Sequence, residues 1–131
     1  MENRVCVDTD IIIDYLRGRL PGVKIFAQII TEEIPFTTYI TNFELLCEAR
    51  KSREKKIIEE CLLGIKILPF DELSSNEAAR IYIDLRQRGQ LIGIRDILIA
   101  AIAITNGLQI STKNLKDFKR INGLSLWEKN N

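Results

Sequence analysis

The chain has 131 residues, 46% of them hydrophobic and 28% charged, which fits one domain over residues 1–131 with a sizeable core. Nineteen basic and 18 acidic residues leave a net charge of +1, so no global field advertises a polyanion, and any nucleic-acid contact must be local. Histidine is absent, which excludes Ser-His-Asp and Cys-His catalysis and every histidine-based metal site. Cys6, Cys47 and Cys61 are odd in number, widely spaced and set among apolar neighbours. They read as small buried hydrophobes rather than a disulfide frame or zinc knuckle. The start of the chain shows no signal-peptide core. The longest apolar run, Ile97 to Ile104, is far too short to span a membrane, so a cytoplasmic protein without membrane contact is expected.

Taken in order, Val5 to Asp8 predicts a strand, followed at once by a helix from Thr9 to about Leu16, with Gly18 after it. Pro21 opens a second helix reaching about Thr31. "IPFTTYI", from Ile34, predicts a second strand. Thr41 then starts a helix through Leu45, Leu46 and Ala49, and a charged stretch continues into "IIEECLLG", ended by Gly64. "IKILPF" is a third strand, and "SSNEAARIYIDLRQRG" a helix capped by Ser74 or Ser75 and stopped by Gly89. "RDILIAAIAITNG" is apolar nearly all round and predicts a buried helix. "LQIST" is a fourth strand, "NLKDFKR" a short helical turn and "LSLW" an edge strand. The alternation predicts an α/β fold with a central parallel sheet of about four to five strands. In such folds the functional residues lie just beyond the carboxyl ends of the strands.

Two carboxylates, Asp8 and Glu44, follow strands one and two, a third, Asp96, begins the buried helix, and each has an ordinary explanation. Asp8 can cap the helix beginning at Thr9 or Asp10. Thr41-x-x-Glu44 has the form of a capping box. Asp96 can be a first-turn acid favoured by the helix dipole, with Arg95 as a partner, although adjacent helical residues point in different directions. Asn114 and Asp117 can be loop and surface residues, the latter pairing with Lys113. The conjunction is what these explanations handle badly. Three acids converging on one sheet edge repel one another unless a cation neutralises them. Hard carboxylate oxygens without histidine or thiolate point to Mg2+ or Mn2+, and to metal-assisted phosphodiester hydrolysis.

"VDTDIIIDYL", "TNFELL", "GIRDILIAAIAITNGLQISTKNLKDF" and "INGLSLW" occur in that order over nearly the whole chain. Together they resemble the PIN domain, and more narrowly the VapC-type toxins of toxin–antitoxin pairs. The resemblance implies a PIN-like three-layer α/β/α domain and a Mg2+- or Mn2+-dependent endoribonuclease acting on RNA. It also implies neutralisation by a VapB-type antitoxin, and usually a homodimer. Asp8, Glu44 and Asp96 match the family's acids, with Asp8 and Asp96 as direct metal ligands and Glu44 completing the pocket. Asn114 stands, uncharged, where many members carry a fourth acid, and Asp117, one turn on, is the acid that would substitute for it, which leaves one metal or two as alternatives. Thr9 and Thr112 match hydroxyl positions beside the pocket. The catalytic set implied is thus Asp8, Glu44, Asp96, Asn114 and Asp117. Glu44 or Asp96 would orient the attacking water, leaving a 5′-phosphate.

Two basic runs, Arg50 to Lys56 and Lys113 to Arg120, either track phosphates or are solvated faces. Ile11, Ile12 and Ile13, with Tyr15, Leu16 and the second helix, either pack in the core or form a groove for the antitoxin. Rival readings are a PIN nuclease of RNA processing without an antitoxin, a haloacid-dehalogenase-like phosphatase built on Asp8 and Asp10, and a receiver-like signalling domain using Asp71. The phosphatase needs a small residue and a hydroxyl straight after the second Asp, where this chain has three isoleucines.

Overall fold

Alternation along the first strand divides the core in two, because successive side chains point to opposite faces of a sheet. The structure, a computed structural model, describes residues 2–128. In β1 (Arg4–Val7), Val5 and Val7 face one hydrophobic cluster and Cys6 the other. There follow α1 (Thr9–Leu16), α2 (Gly22–Glu32), β2 (Ile34–Thr38), α3 (Tyr39–Glu48), α4 (Ser52–Leu62) and β3 (Lys66–Leu68). The chain continues through α5 (Glu72–Gln87), α6 (Ile94–Thr105), β4 (Gln109–Ser111), α7 (Leu115–Phe118) and β5 (Ser125–Leu126).

All five strands pair in parallel in the order β3-β2-β1-β4-β5. One face is covered by α5 and α6, whose Ile81, Leu85, Ile97, Ile99 and Ile102 pack with Cys6, Phe36 and Ile110. The other is covered by α1 to α4, through Ile11, Ile12, Phe26, Ile29, Leu45, Ile58 and Leu62. Each fully buried branched side chain of this kind contributes about 1.5–3 kcal/mol relative to exposure, so these two faces hold the three layers together. The expected α/β/α arrangement with a parallel sheet is what is found.

β1 lies between β2, reached by way of α1 and α2, and β4, reached from the opposite face through α5 and α6. The connections therefore diverge at the carboxyl end of β1, between β1 and β4, where such sheets open a crevice. Asp8, Ser111 and Thr112 stand there. The Asp8 N–H donates to the Ser111 carbonyl at 2.9 Å, continuing the ladder one residue past the strand.

Several local readings need correction. The second strand stops at Thr38, and α3 begins at Tyr39 rather than Thr41. Thr38 is extended and its hydroxyl accepts from the Thr41 N–H at 3.1 Å, so Thr38 is the cap and the Thr41–Glu44 capping box does not form. The β-branched and aromatic run Thr37-Thr38-Tyr39-Ile40 looks like strand by composition. The strand ends earlier because Thr37, fully buried, turns its hydroxyl onto the Val7 carbonyl at 2.8 Å. The α5 helix starts at Glu72, capped by Asp71 in a reciprocal arrangement with Ser74, and not by Ser74 or Ser75. Cys47 is exposed rather than buried. Ile11 and Ile12 are fully buried and belong to the core, which leaves Ile13 alone of the three partly exposed.

Candidate active site

Asp8 caps α1 and also ties it to the loop after β4. Its extended backbone caps α1, its Oδ1 accepts the Thr9 N–H at 2.7 Å, and its Oδ2 accepts the Thr112 hydroxyl at 2.7 Å. The carboxylate is 1% exposed, and an ion buried that deeply without partners would cost several kcal/mol. Thr112 has a second bond, accepting the Asn114 N–H at 3.0 Å, so the loop after β4 is folded around this hydroxyl.

Glu44 comes from α3, nearly two turns past the Thr38 cap. Its Oε1 accepts the Thr9 hydroxyl at 2.7 Å, and that hydroxyl lies 3.0 Å from the Thr41 hydroxyl. Asp96 comes from the first turn of α6 and is buried, as expected for an acid opening an apolar helix. Its Oδ2 accepts from Asn114 Nδ2 at 2.9 Å, and the same amide reaches Asp117 Oδ2 at 3.1 Å. Burial first, and then the charge of Asp8, raise the Asp96 carboxyl above the ordinary aspartate value, against the opposing pull of Arg95.

The three acids do converge, and one side chain joins them. Arg95 donates through Nη2 to Asp8 Oδ1 at 2.8 Å, through Nε to Glu44 Oε2 and through Nη1 to Asp96 Oδ1. Adjacency made Arg95 an unpromising partner for Asp96, but the length of the arginine side chain overrides helical direction. Burial alone would lower the Arg95 pKa, yet its bond to Glu44 and the charges of Asp8, Glu44 and Asp96 hold it above its ordinary value. Thr9, Thr112 and Asn114 thus hold the carboxylates from behind, and Arg95 lies between them.

Two neighbours were not foreseen. Asp10, which the phosphatase reading pairs with Asp8, accepts the Lys113 N–H at 3.0 Å and pins the β4 exit to α1. Its Oδ1 is buried without a partner, and desolvation together with the Asp8 charge lifts its pKa to about 6. Lys113 does not pair with Asp117. It binds Asp14, a buried acid that sequence reasoning passed over. Asp10 and Asp14 both lie in the opening stretch of acids, but their partners are about a hundred positions away. Asp71, which a receiver-like domain would phosphorylate, is bound up in the α5 cap.

In chemical kind the donor set suits a hard divalent cation: carboxylate oxygens, neutral hydroxyl and amide supports, and no soft ligand. Among the described residues, no three acidic or thiol side chains are gathered around a common point as they stand, because the Arg95 guanidinium is interposed.

The PIN domain family model matches residues 5–124. Ribonuclease VapC1 of Rickettsia felis is 36% identical over 129 residues, which span 92% of each chain. Among solved structures, the DNA-bound VapBC of Salmonella typhimurium shares a TM-score of 0.83 at 25% identity, covering 97% of this chain and 98% of that one. VapBC-1 from nontypeable Haemophilus influenzae gives 0.81 at 26%, covering 95% and 97%. The chain belongs to the PIN-domain family, in company with the VapC ribonucleases.

Proposed function

We infer that this protein is an endoribonuclease that hydrolyses RNA phosphodiester bonds as the toxin of a VapBC-type toxin–antitoxin pair. The observation that carries the catalytic reading is the meeting of Asp8, Glu44 and Asp96, from three separate elements, at the carboxyl edge of the sheet. Asp8 and Asp96 are the residues that would hold Mg2+ or Mn2+, with Glu44 completing the set. Bound there, the cation supplies charge neutralisation and Lewis-acid polarisation of the scissile phosphate. Thr112 and Asn114 keep the two ligating carboxylates oriented. Glu44, whose side chain is 26% exposed against 1% for Asp8 and 9% for Asp96, is the acid open to solvent, and it orients the attacking water. Asn114 and Asp117 form a neutral-plus-acid pair at the fourth position. The products carry a 5′-phosphate.

The partner reading rests on a groove of about 180 Å³ between α1, α3 and α4. Its apolar lining is Ile13, Leu16, Leu45, Ala49, Ile57 and Ile58, rimmed by Arg17, Glu48 and Glu54. We assign it to a VapB-type antitoxin segment. The groove takes Ile13 and Leu16 from α1 and the rest of its apolar wall from α3, α4 and their connection, with no residue of the second helix in its lining. Self-association as a homodimer belongs to the same reading. So does a cytoplasmic setting, which suits three free cysteines. Among the described residues no helix is long and apolar enough to cross a membrane.

The test is expression with and without a VapB-type antitoxin. Growth arrest with RNA cleavage, relieved by the antitoxin and lost in Asp8→Asn, is the expected outcome. RNA cleavage without toxicity would instead favour an RNA-processing nuclease.

A further inference from the structure

Three carboxylates from three elements share one guanidinium. The bonds around them sort into two sets. On one side, Thr112 holds Asp8 Oδ2, Thr9 holds Glu44 Oε1 and Asn114 holds Asp96 Oδ2. These come from packed elements and do not depend on any cation. On the other side, Glu44 Oε2, Asp96 Oδ1 and Asp8 Oδ1, the last also accepting the Thr9 N–H, all turn to Arg95. Arg95 differs from the first set in being able to leave. It springs from the first turn of α6, its side chain is 37% exposed, and among the described residues its side chain hydrogen-bonds to the three acids alone. A second cation, Lys113, is engaged elsewhere by Asp14.

One guanidinium against three carboxylates leaves the pocket negative, so the resting arrangement is stabilised but undercompensated. A compact divalent ion offers more charge to the same oxygens, while a weakly hydrated guanidinium recovers little hydration on leaving them, so the two cations compete for one set of lone pairs. We propose that Arg95 is a positioning residue that holds Asp8, Glu44 and Asp96 together in the absence of a divalent cation and competes with that cation for their oxygens. The inference rests on the metal-site reading above. Its consequence is quantitative. If the Arg95-bound arrangement is favoured about tenfold, the apparent metal affinity is weakened about tenfold relative to a pocket without the arginine.

The experiment is calorimetric titration of Mn2+ alone into the full chain, without RNA, for wild type, Arg95→Ala, Arg95→Lys and Asp8→Asn. Competition predicts that Arg95→Ala binds Mn2+ about tenfold tighter while melting at a lower temperature in chelator. Arg95→Lys, which cannot reach three acids with one ammonium, should be tightened to a smaller degree. A purely structural arginine would lower the melting temperature and leave Mn2+ affinity unchanged or weaker, and that result overturns the proposal. In wild type, the Arg95 Nε–H resonance, assigned by its loss in Arg95→Lys, should move as Mg2+ is added. If it stays put while Asp8-dependent binding saturates, the proposal is wrong and the metal site stands. If wild type and every variant bind no Mn2+, both readings fall together. The resonance keeps the test readable should Arg95→Ala not fold.

Discussion

The Lys113 ammonium donates to both oxygens of Asp14 at 3.0 Å, fastening the exit of β4 to the last turn of α1. The same carboxylate accepts the Gly22 N–H at 3.1 Å, so one buried acid organises the end of α1, the start of α2 and the loop that carries Thr112. The active-site crevice therefore has a second, charged fastening nearly two turns from Asp8.

Burial alone would raise the Asp14 pKa, but the bonds from Lys113 and Gly22 outweigh it and hold the carboxyl below its ordinary value. A depressed folded-state pKa contributes stability that is fully present above the unfolded value of 3.8 and is lost as pH falls through the lower, folded value. Asp14→Asn should cost about 2 kcal/mol at pH 7, because it leaves Lys113 without its counter-charge. Denaturant melts from pH 7 down to pH 2 should show the gap between wild type and variant closing below about pH 4.

Gly22 has no room for a side chain. A Cβ there would lie 2.3 Å from Asp14 Cβ and 2.9 Å from the Ile11 carbonyl oxygen, and backbone cannot step aside cheaply. Gly22→Ala should destabilise the fold by about 3 kcal/mol, at the upper end for overpacking, as read by the urea midpoint.

Asp96→Asn should reduce RNA cleavage in Mg2+ by at least about a hundredfold, with circular dichroism unchanged. Asp8→Asn should do the same and remain folded, since the amide oxygen can still accept the Thr9 N–H. An alanine at position 8 would also remove the cap, at a cost of about 1 kcal/mol. Chelation by EDTA should silence the wild type, and Mg2+ or Mn2+ should restore it. Full activity in EDTA would contradict the metal assignment.

Thr112→Val keeps the shape and deletes two bonds, one to Asp8 and one from the Asn114 N–H. About tenfold weaker cleavage and a stability loss of about 1–2 kcal/mol are expected, measured on one preparation by initial rates and thermal melting.

Ile57 is 48% exposed in the α1–α3–α4 groove, away from the acids. Ile57→Glu should leave cleavage of RNA intact and weaken capture of a VapB-type antitoxin by about tenfold or more, because a charge would be desolvated in an apolar seat. Equal affinity by titration would locate the partner elsewhere.

How much of this was readable beforehand follows from the range over which each residue acts. Elements with strong local signals appeared close to where expected: β1 and α1 from alternation and a cap, and α6 from an apolar run that left Asp96 buried at its start. The start of α3 was misplaced because Thr37, Thr38 and Tyr39 favour strand by composition, while the Thr38 cap and the Thr37–Val7 bond depend on where β1 lies. Glu44 was singled out within a capping box that does not exist, and its actual partners, Thr9 and Arg95, are 35 and 51 positions away.

Residue types and spacing by themselves determined the layered fold, the absence of histidine chemistry and the short roster of acids that could serve a cation. Periodicity and side-chain chemistry are carried by each residue wherever the chain goes. Tertiary structure decided what those acids face. That Arg95 joins Asp8, Glu44 and Asp96, that Lys113 chooses Asp14 over Asp117, and that Asp10 holds the β4 loop all require β1 and β4 to be neighbours. A carboxylate's partner is set by distance in space, and distance in space is what a linear string of residues does not contain.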